Sequence, residues 1–251
     1  MESNELNIVW CYPDILNLHG DRGNLMALRR IGELLNIHVN INKIESYDEK
    51  INFKEADILF FSVGELKVVS NIVEALKKQK NDLEEYIEKG GIIIVIGTTG
   101  SVFAQGTVKT DGTYIKGLGI LNMKCVQKEQ IYGNDIIYNI LDDEKHEIVG
   151  NQIQIVDIFL NDNIALGQVS YGYGNNGKAD KTEGAMYKNV IFTNSLGPLF
   201  VKNPWYAEEI IKKAMKNKNI IIEKVIDETY YEIERKSMEC IKKYIKKKVT
   251  N

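Results

Sequence analysis

Covalent or acid–base chemistry needs a nucleophile, a proton carrier beside it and donors for the developing negative charge. The 251-residue chain offers three cysteines, Cys11, Cys125 and Cys240, and three histidines, His19, His38 and His146. No C-x-x-C pair occurs and no Cys/His cluster has zinc-ligand spacing, so neither a metal site nor a cofactor is expected. The scattered thiols read as reduced packing residues. A second source of nucleophiles is the run Gly97-Thr98-Thr99-Gly100-Ser101. Its hydroxyls on Thr98, Thr99 and Ser101 would attack only with a base beside them, and would otherwise cap a helix start. The same run could cradle a phosphate or carboxylate on free N–H groups, although it lacks the G-K-[ST] of a Walker loop. A third polar set, Asp14, Asn17, Asp21, Arg22 and Asn24, falls in one loop with Pro13 and Gly20. It could face a ligand, or bond its own backbone as turn and cap residues.

The elements that must position these groups follow from apolar periodicity. Asn7 to Cys11, Ile37 to Ile41, Ile58 to Phe61 and Ile92 to Ile96 read as strands, the last apolar on both faces and therefore central. Helical spacing covers Leu25 to Asn36, Leu66 to Lys78 and Asn81 to Lys89. This order predicts a mostly parallel, doubly wound sheet with right-handed crossovers. The two polar runs then fall in loops at the carboxyl ends of strands, where such sheets bind ligands. From Val108 the pattern becomes strand-rich. A hairpin turns at Asp111-Gly112, and strands are expected at 123–127, 135–140, 147–159, 165–171 and 185–193, before a helix over 204–216. Gly172 to Gly177 reads as a flexible turn.

Charge and hydropathy exclude other classes. The net charge is −3 and hydrophobic residues make up 44%, so nothing points to nucleic acid. No apolar run approaches the roughly 18 residues of a membrane span. Met1 to Leu6 is acidic and polar, unlike a signal peptide, and a cytoplasmic location is expected. Two segments are expected: a domain over 1–217 and a mostly helical extension over 218–251. In the extension Tyr230, Ile233, Ser237, Ile241, Tyr244 and Ile245 share a helical face among lysines. That stripe would pack on the domain, or present a partner-binding or membrane-surface helix.

Several runs together resemble the CobB/CobQ-like class I glutamine amidotransferases, and within them the GatD subunits of lipid II isoglutaminyl synthase. They are Tyr12-Pro-Asp-Ile-Leu-Asn-Leu-His-Gly-Asp-Arg-Gly-Asn24, Lys116-Gly-Leu-Gly-Ile120, Leu166-Gly-Gln-Val-Ser-Tyr-Gly-Tyr-Gly-Asn-Asn176, Glu183-Gly184, Tyr187-Lys-Asn189, Gly197-Pro198-Leu199 and Lys202-Asn-Pro204. The resemblance spans about Ile8 to Lys216. It implies a flavodoxin-like fold, a cysteine nucleophile on a sharp strand-to-helix turn, a histidine base, and a MurT-like Mur ligase partner that uses ATP and the released ammonia. The family's turn, near I-C-G-G-Y-Q, reads Ile96-Gly97-Thr98-Thr99-Gly100-Ser101 here, which puts Gly97 at the nucleophile position. Leu196 precedes Gly197-Pro198 where the family has its histidine. Ser62-Val63-Gly64-Glu65-Leu66 replaces a G-G-G-Q-D loop, and an arginine that holds glutamine falls near Gln130.

The expectation from these departures is a subunit that keeps the fold but not the glutaminase chemistry and supports a Mur-ligase-like amide ligase. Two alternatives stand beside it. One is a stand-alone protein or enzyme that binds a small carboxylate or phosphate in the same pocket. The other is an active glutaminase that works by an unrecognised route.

Overall fold

The computed structural model describes residues 4–141 and 143–250. The first three residues of the acidic N-terminal segment and the side chain of His146 lie outside the described residues. The first half alternates strand and helix: β1 (Glu5–Cys11), α1 (Arg22–Leu34), β2 (His38–Ile44), β3 (Ile58–Phe61), α2 (Val69–Lys77), α3 (Lys80–Glu88), β4 (Ile92–Ile96) and the short α4 (Gly100–Phe103). The second half contributes β5 (Gly106–Val108), β6 (Tyr114–Lys116), β7 (Met123–Ile140), β8 (Asp143–Leu160), β9 (Gly167–Tyr171), β10 (Thr182–Glu183), β11 (Ala185–Tyr187) and β12 (Val190–Thr193). It ends in α5 (Leu199–Lys202), α6 (Pro204–Asn217) and α7 (Glu232–Thr250).

Strands β2-β1-β3-β4-β12 form a parallel sheet in that order, and β11 closes its edge antiparallel. This is the flavodoxin-like 2-1-3-4-5 winding, with its switch point at β1/β3. Alternation of side chains across the pleat divides the core in two. Leu6, Ile8 and Trp10 of β1 and Ile92, Ile94 and Ile96 of β4 pack against Leu25, Leu28 and Ile31 of α1 and Ile210 and Ile211 of α6. Val9, Cys11, Ile93 and Val95 face Ile72, Val73 and Leu76 of α2 and Leu83 of α3. Each such buried aliphatic side chain contributes about 1.5–3 kcal/mol, so the sheet that carries the loops is rigid.

The second sheet has the order β10-β9-β7-β5-β6, with β8 along β7. The expected strands over 123–127 and 135–140 are one continuous β7, because pairing with β8 carries the polar middle through a register shift between Gln127 and Tyr132. The expected strand over 185–193 is instead a hairpin, β11 and β12, turning at Lys188 with φ +54°. The Gly172–Gly177 segment is no simple flexible turn. Its Asn175 is wholly buried, where Nδ2 donates to the Gly184 carbonyl and Oδ1 accepts from the Gly184 N–H.

The C-terminal helix packs on the domain by part of its expected face, Ile241 and Ile245. Ile245, Ile241 and Met238 of α7 pack on Ile137 and Val149, while Tyr230, Ile233 and Tyr244 stay exposed at 52, 80 and 59%. Ile137 of β7, Val149 of β8 and Tyr171 of β9 offer an apolar seat that selects the first stripe over the second.

Candidate functional site at the carboxyl ends of the parallel strands

The loops after β1, β3, β4 and β12 meet at one edge of the parallel sheet, and buried polar side chains tie them together. The Asp21 carboxylate accepts from the Val63 N–H at 3.2 Å and from Asn24 Nδ2 at 2.6 Å. Asn24 Oδ1 in turn accepts from the Phe200 N–H at the start of α5. Thr99 Oγ1 donates to the Ser62 carbonyl at 2.7 Å and accepts from the Gly64 N–H at 3.1 Å. Burial pushes the Asp21 carboxyl up to about 7, against the hydrogen bonds it accepts. Asp21, Asn24 and Thr99 therefore spend their polar atoms holding loop to loop. Asp14, Asn17 and Arg22 are exposed around them.

At the centre lies the turn after β4. Gly97 holds φ +58°, a conformation that glycine adopts without the penalty of a side chain. A Cβ there would stand 2.9 Å from Val63 Cγ2 and 3.3 Å from Leu196 Cδ2. The structure thus brings Gly97 and Leu196 together, and Val63 fills the remaining approach. Leu196 is 2% and Val63 3% exposed. The space left beside Gly97, Thr98, Ser101, Gln154 and Asn194 is about 10 Å³, about enough for one water. No anion or amino acid fits it. The expected cradle is also a single 3-10 turn, Gly97–Thr99, leading into a four-residue helix.

Four of the nucleophile candidates, Cys11, Thr99, Ser101 and Cys125, are buried. Ser101 is buried, and its hydroxyl lies with that of Thr107 against the thiol of Cys125. Burial pushes that thiol up to about 12, so its thiolate is scarce near neutrality. Burial likewise raises the Cys11 thiol well above its usual range. Cys240 is exposed on α7. Thr98 and His19 both line a separate groove of about 770 Å³ beside the turn, but among the described residues no hydrogen bond joins them. Gln130 is exposed on the β7 irregularity. Among the described residues no group of three or more His, Cys, Asp or Glu side chains could hold a metal ion.

Two residues matter here that the sequence did not single out. Val63 is the plug just described. Glu183 is fully buried, and its carboxylate accepts from the Asn194 N–H at 2.7 Å and from Thr193 Oγ1. Burial pushes this carboxyl up to about 7. It anchors the segment that carries Leu196. The Glu183-Gly184 pair was visible as a motif, but its burial depends on β12 and has no local sequence signal.

The 2-1-3-4-5 parallel sheet with its antiparallel extension is a fold shared with solved glutamine amidotransferase structures. A solved structure described as a glutamine amidotransferase overlays with TM-score 0.56 at 14% identity, covering 82% of this chain and 98% of that one. PurLQS from Thermotoga maritima gives 0.51 at 13%, covering 86% and 97%. The glutaminase domain of CTPS from Trypanosoma brucei gives 0.50 at 8%, covering 88% and 96%. In sequence, residues 7–204 match the CobB/CobQ-like glutamine amidotransferase domain. The GatD subunit of lipid II isoglutaminyl synthase (glutamine-hydrolyzing) from Staphylococcus aureus (strain N315) is 35% identical over 219 residues, which is 87% of this chain and 88% of that protein. The corresponding subunit from Streptococcus pneumoniae (strain ATCC BAA-255 / R6) is 30% identical over 216 residues, 85% and 82% respectively. The chain belongs to the CobB/CobQ-like glutamine amidotransferase family. No helix among the described residues is long and apolar enough to cross a membrane.

Proposed function

We propose that this chain is a non-catalytic glutamine amidotransferase-like subunit that supports a Mur-ligase-like, ATP-dependent amide ligase. The observation that carries the reading is the closed turn: Gly97 has no side chain, and Val63 and Leu196 occupy the approach to it. A class I glutaminase needs a thiolate there, a base within hydrogen-bond reach and room for glutamine. Gly97 supplies no thiolate, Leu196 stands where the family has its histidine, and the space against the turn itself is about 10 Å³, the wider groove opening beside it. The same packing weighs against a hydroxyl nucleophile and against a small anion held at the turn.

The subunit part of the reading draws on the relatives, both described as subunits of lipid II isoglutaminyl synthase. It also draws on the surface beside the closed turn. The 770 Å³ groove is bordered by Leu18, Ile131 and Ile153, exposed at 37, 60 and 44%. Apolar side chains gathered at a concave surface suit a protein partner. A partner docked there would be held by shape and apolar burial and would receive no ammonia from this chain.

The test is to co-express the chain with the Mur-ligase-like protein of its own source and purify the pair by size exclusion. The reading expects one complex that amidates its acceptor with ammonium chloride and not with glutamine. A ligase equally stable and active without this chain would refute the supporting role. Glutamine-dependent amidation by the complex would refute the non-catalytic one.

A further inference from the structure

A second surface lies on α7, outside the closed turn. This helix has two apolar stripes. Met238, Ile241 and Ile245 face the second sheet. Ile233 and Tyr244, with Cys240 between them, lie roughly 100° around the helix from that stripe and are exposed. At 100° per residue, Lys236, Lys243 and Lys247 border this outer stripe on one side and Lys248 on the other. The last two turns hold five lysines, Lys242, Lys243, Lys246, Lys247 and Lys248, with no acidic residue after Glu239. The chain as a whole carries −3, so this end is a local reversal of sign. Lys236 pairs with Glu232 and Lys243 lies 3.9 Å from Glu239. Among the described residues no carboxylate lies within ion-pair distance of Lys247 or Lys248.

Lys248 also joins the helix to a second basic feature. It shares a pocket of about 460 Å³ with Lys178 and Lys181, floored by Tyr171, Tyr173 and Ser170, and no acidic side chain lines it. Lys178 Nζ stands 5.6 Å from the Tyr173 ring centre, and Tyr173 stacks on Tyr132 at 4.6 Å. Tyr244 lies one helical turn before Lys248 on α7 and is exposed. The nearest carboxylate on this loop, Asp180, is engaged by the Asn176 and Thr182 N–H groups and the Thr182 hydroxyl.

We infer that the outer face of α7, together with the Lys178–Lys181–Lys248 cradle, docks on an anionic phospholipid surface. An interfacial helix needs a modest apolar stripe flanked by lysines whose stems lie along the acyl boundary. Tyrosines suit the headgroup level, being apolar in body and polar at the tip. Each lysine near an anionic surface is worth roughly fivefold in affinity at low salt. A protein partner is the less favoured occupant, because the stripe is narrow and lysine-bordered where a protein interface core is depleted of charge. The inference stands on α7 and the second sheet alone and does not depend on the closed turn.

The test is co-sedimentation of the full chain with vesicles of phosphatidylglycerol and phosphatidylcholine. Binding should require phosphatidylglycerol and be released by 0.5 M salt. Lys243→Glu/Lys247→Glu/Lys248→Glu should weaken it at least tenfold, and Ile233→Ser/Tyr244→Ser several-fold. Both variants should keep the parental Tm, since every altered side chain is exposed. Equal binding to phosphatidylcholine vesicles, no binding at low salt, or unaltered binding of the triple variant would overturn the inference. So would complete release by 10 mM inorganic phosphate at constant ionic strength, which would assign the cradle to free phosphate.

Discussion

The turn at Gly97 and the outer face of α7 are treated in opposite ways. At the turn, Val63 and Leu196 from two neighbouring loops stand against Gly97, and the space left on its β8 side is about 10 Å³. On α7, Ile233 and Tyr244 stay in solvent between lysines although another stripe of the same helix is buried. The first region leaves space for about one water against the turn. The second keeps a surface that the fold itself does not need. The difference teaches how differently one fold can treat two regions: it fills the turn with its own side chains and leaves one stripe of α7 to solvent.

The sharpest way to break this comparison is to add a side chain at the turn. Gly97→Val combines a β-branched residue at φ +58° with a Cβ 2.9 Å from Val63. It should cost about 4 kcal/mol in denaturant unfolding. Gly97→Cys should cost less, and Val63→Ala in that background should return part of the loss. A turn that accepts valine freely would mean the pocket is open. Next in size, Ile245→Ala should cost about 2–3 kcal/mol, because it leaves a cavity over Ile137 and Val149. Ile233→Ser should stay within about 0.5 kcal/mol. Equal costs at the two positions would mean that α7 packs by its other face.

The carboxyls of Asp21 and Glu183 sharpen the comparison through pH. Both are raised to about 7 by burial, so the folded state holds protons that the unfolded chain releases near pH 4. Their contribution is fully present below about pH 4 and is lost as pH rises to about 7, at about 1.4 kcal/mol per pH unit for each group. Glu183→Gln should remove one group's share of that slope between pH 5 and 7. An unchanged slope would place the carboxyl in solvent. The smallest effect is chemical. A thiol reagent should label Cys240 quickly, and Cys11 and Cys125 only on unfolding. Rapid labelling of Cys125 would reopen the question of a relocated nucleophile.

Much of the fold was legible because apolar runs of strand length, such as Ile92 to Ile96, admit one reading inside alternating helices. Individual edges moved. Helix α1 begins at Arg22, three residues before its first periodic leucine, because Asp21 and Asn24 are bonded into the turn that starts it. The face of α7 was legible only in Ile241 and Ile245, since the choice against Ile233 and Tyr244 rests on Ile137 and Val149, about a hundred residues away. Gly97 and Leu196 could be named from the chain. That Val63 plugs the space between them required three loops to meet, and no local pattern encodes such a meeting. Asp21, Asn24 and Thr99 read equally well as ligand contacts or as loop ties, and the hydrogen bonds they make put their polar atoms in the ties.

The most direct test of the central claim follows the nitrogen. The complex with its Mur-ligase-like partner would be given amide-¹⁵N glutamine together with unlabelled ammonium, and the amidated product analysed by mass spectrometry. The account predicts product that carries only unlabelled nitrogen, with glutamine recovered intact. Label in the product, lost when Thr98→Ala or Ser101→Ala is introduced, would contradict it and show a working glutaminase at this turn.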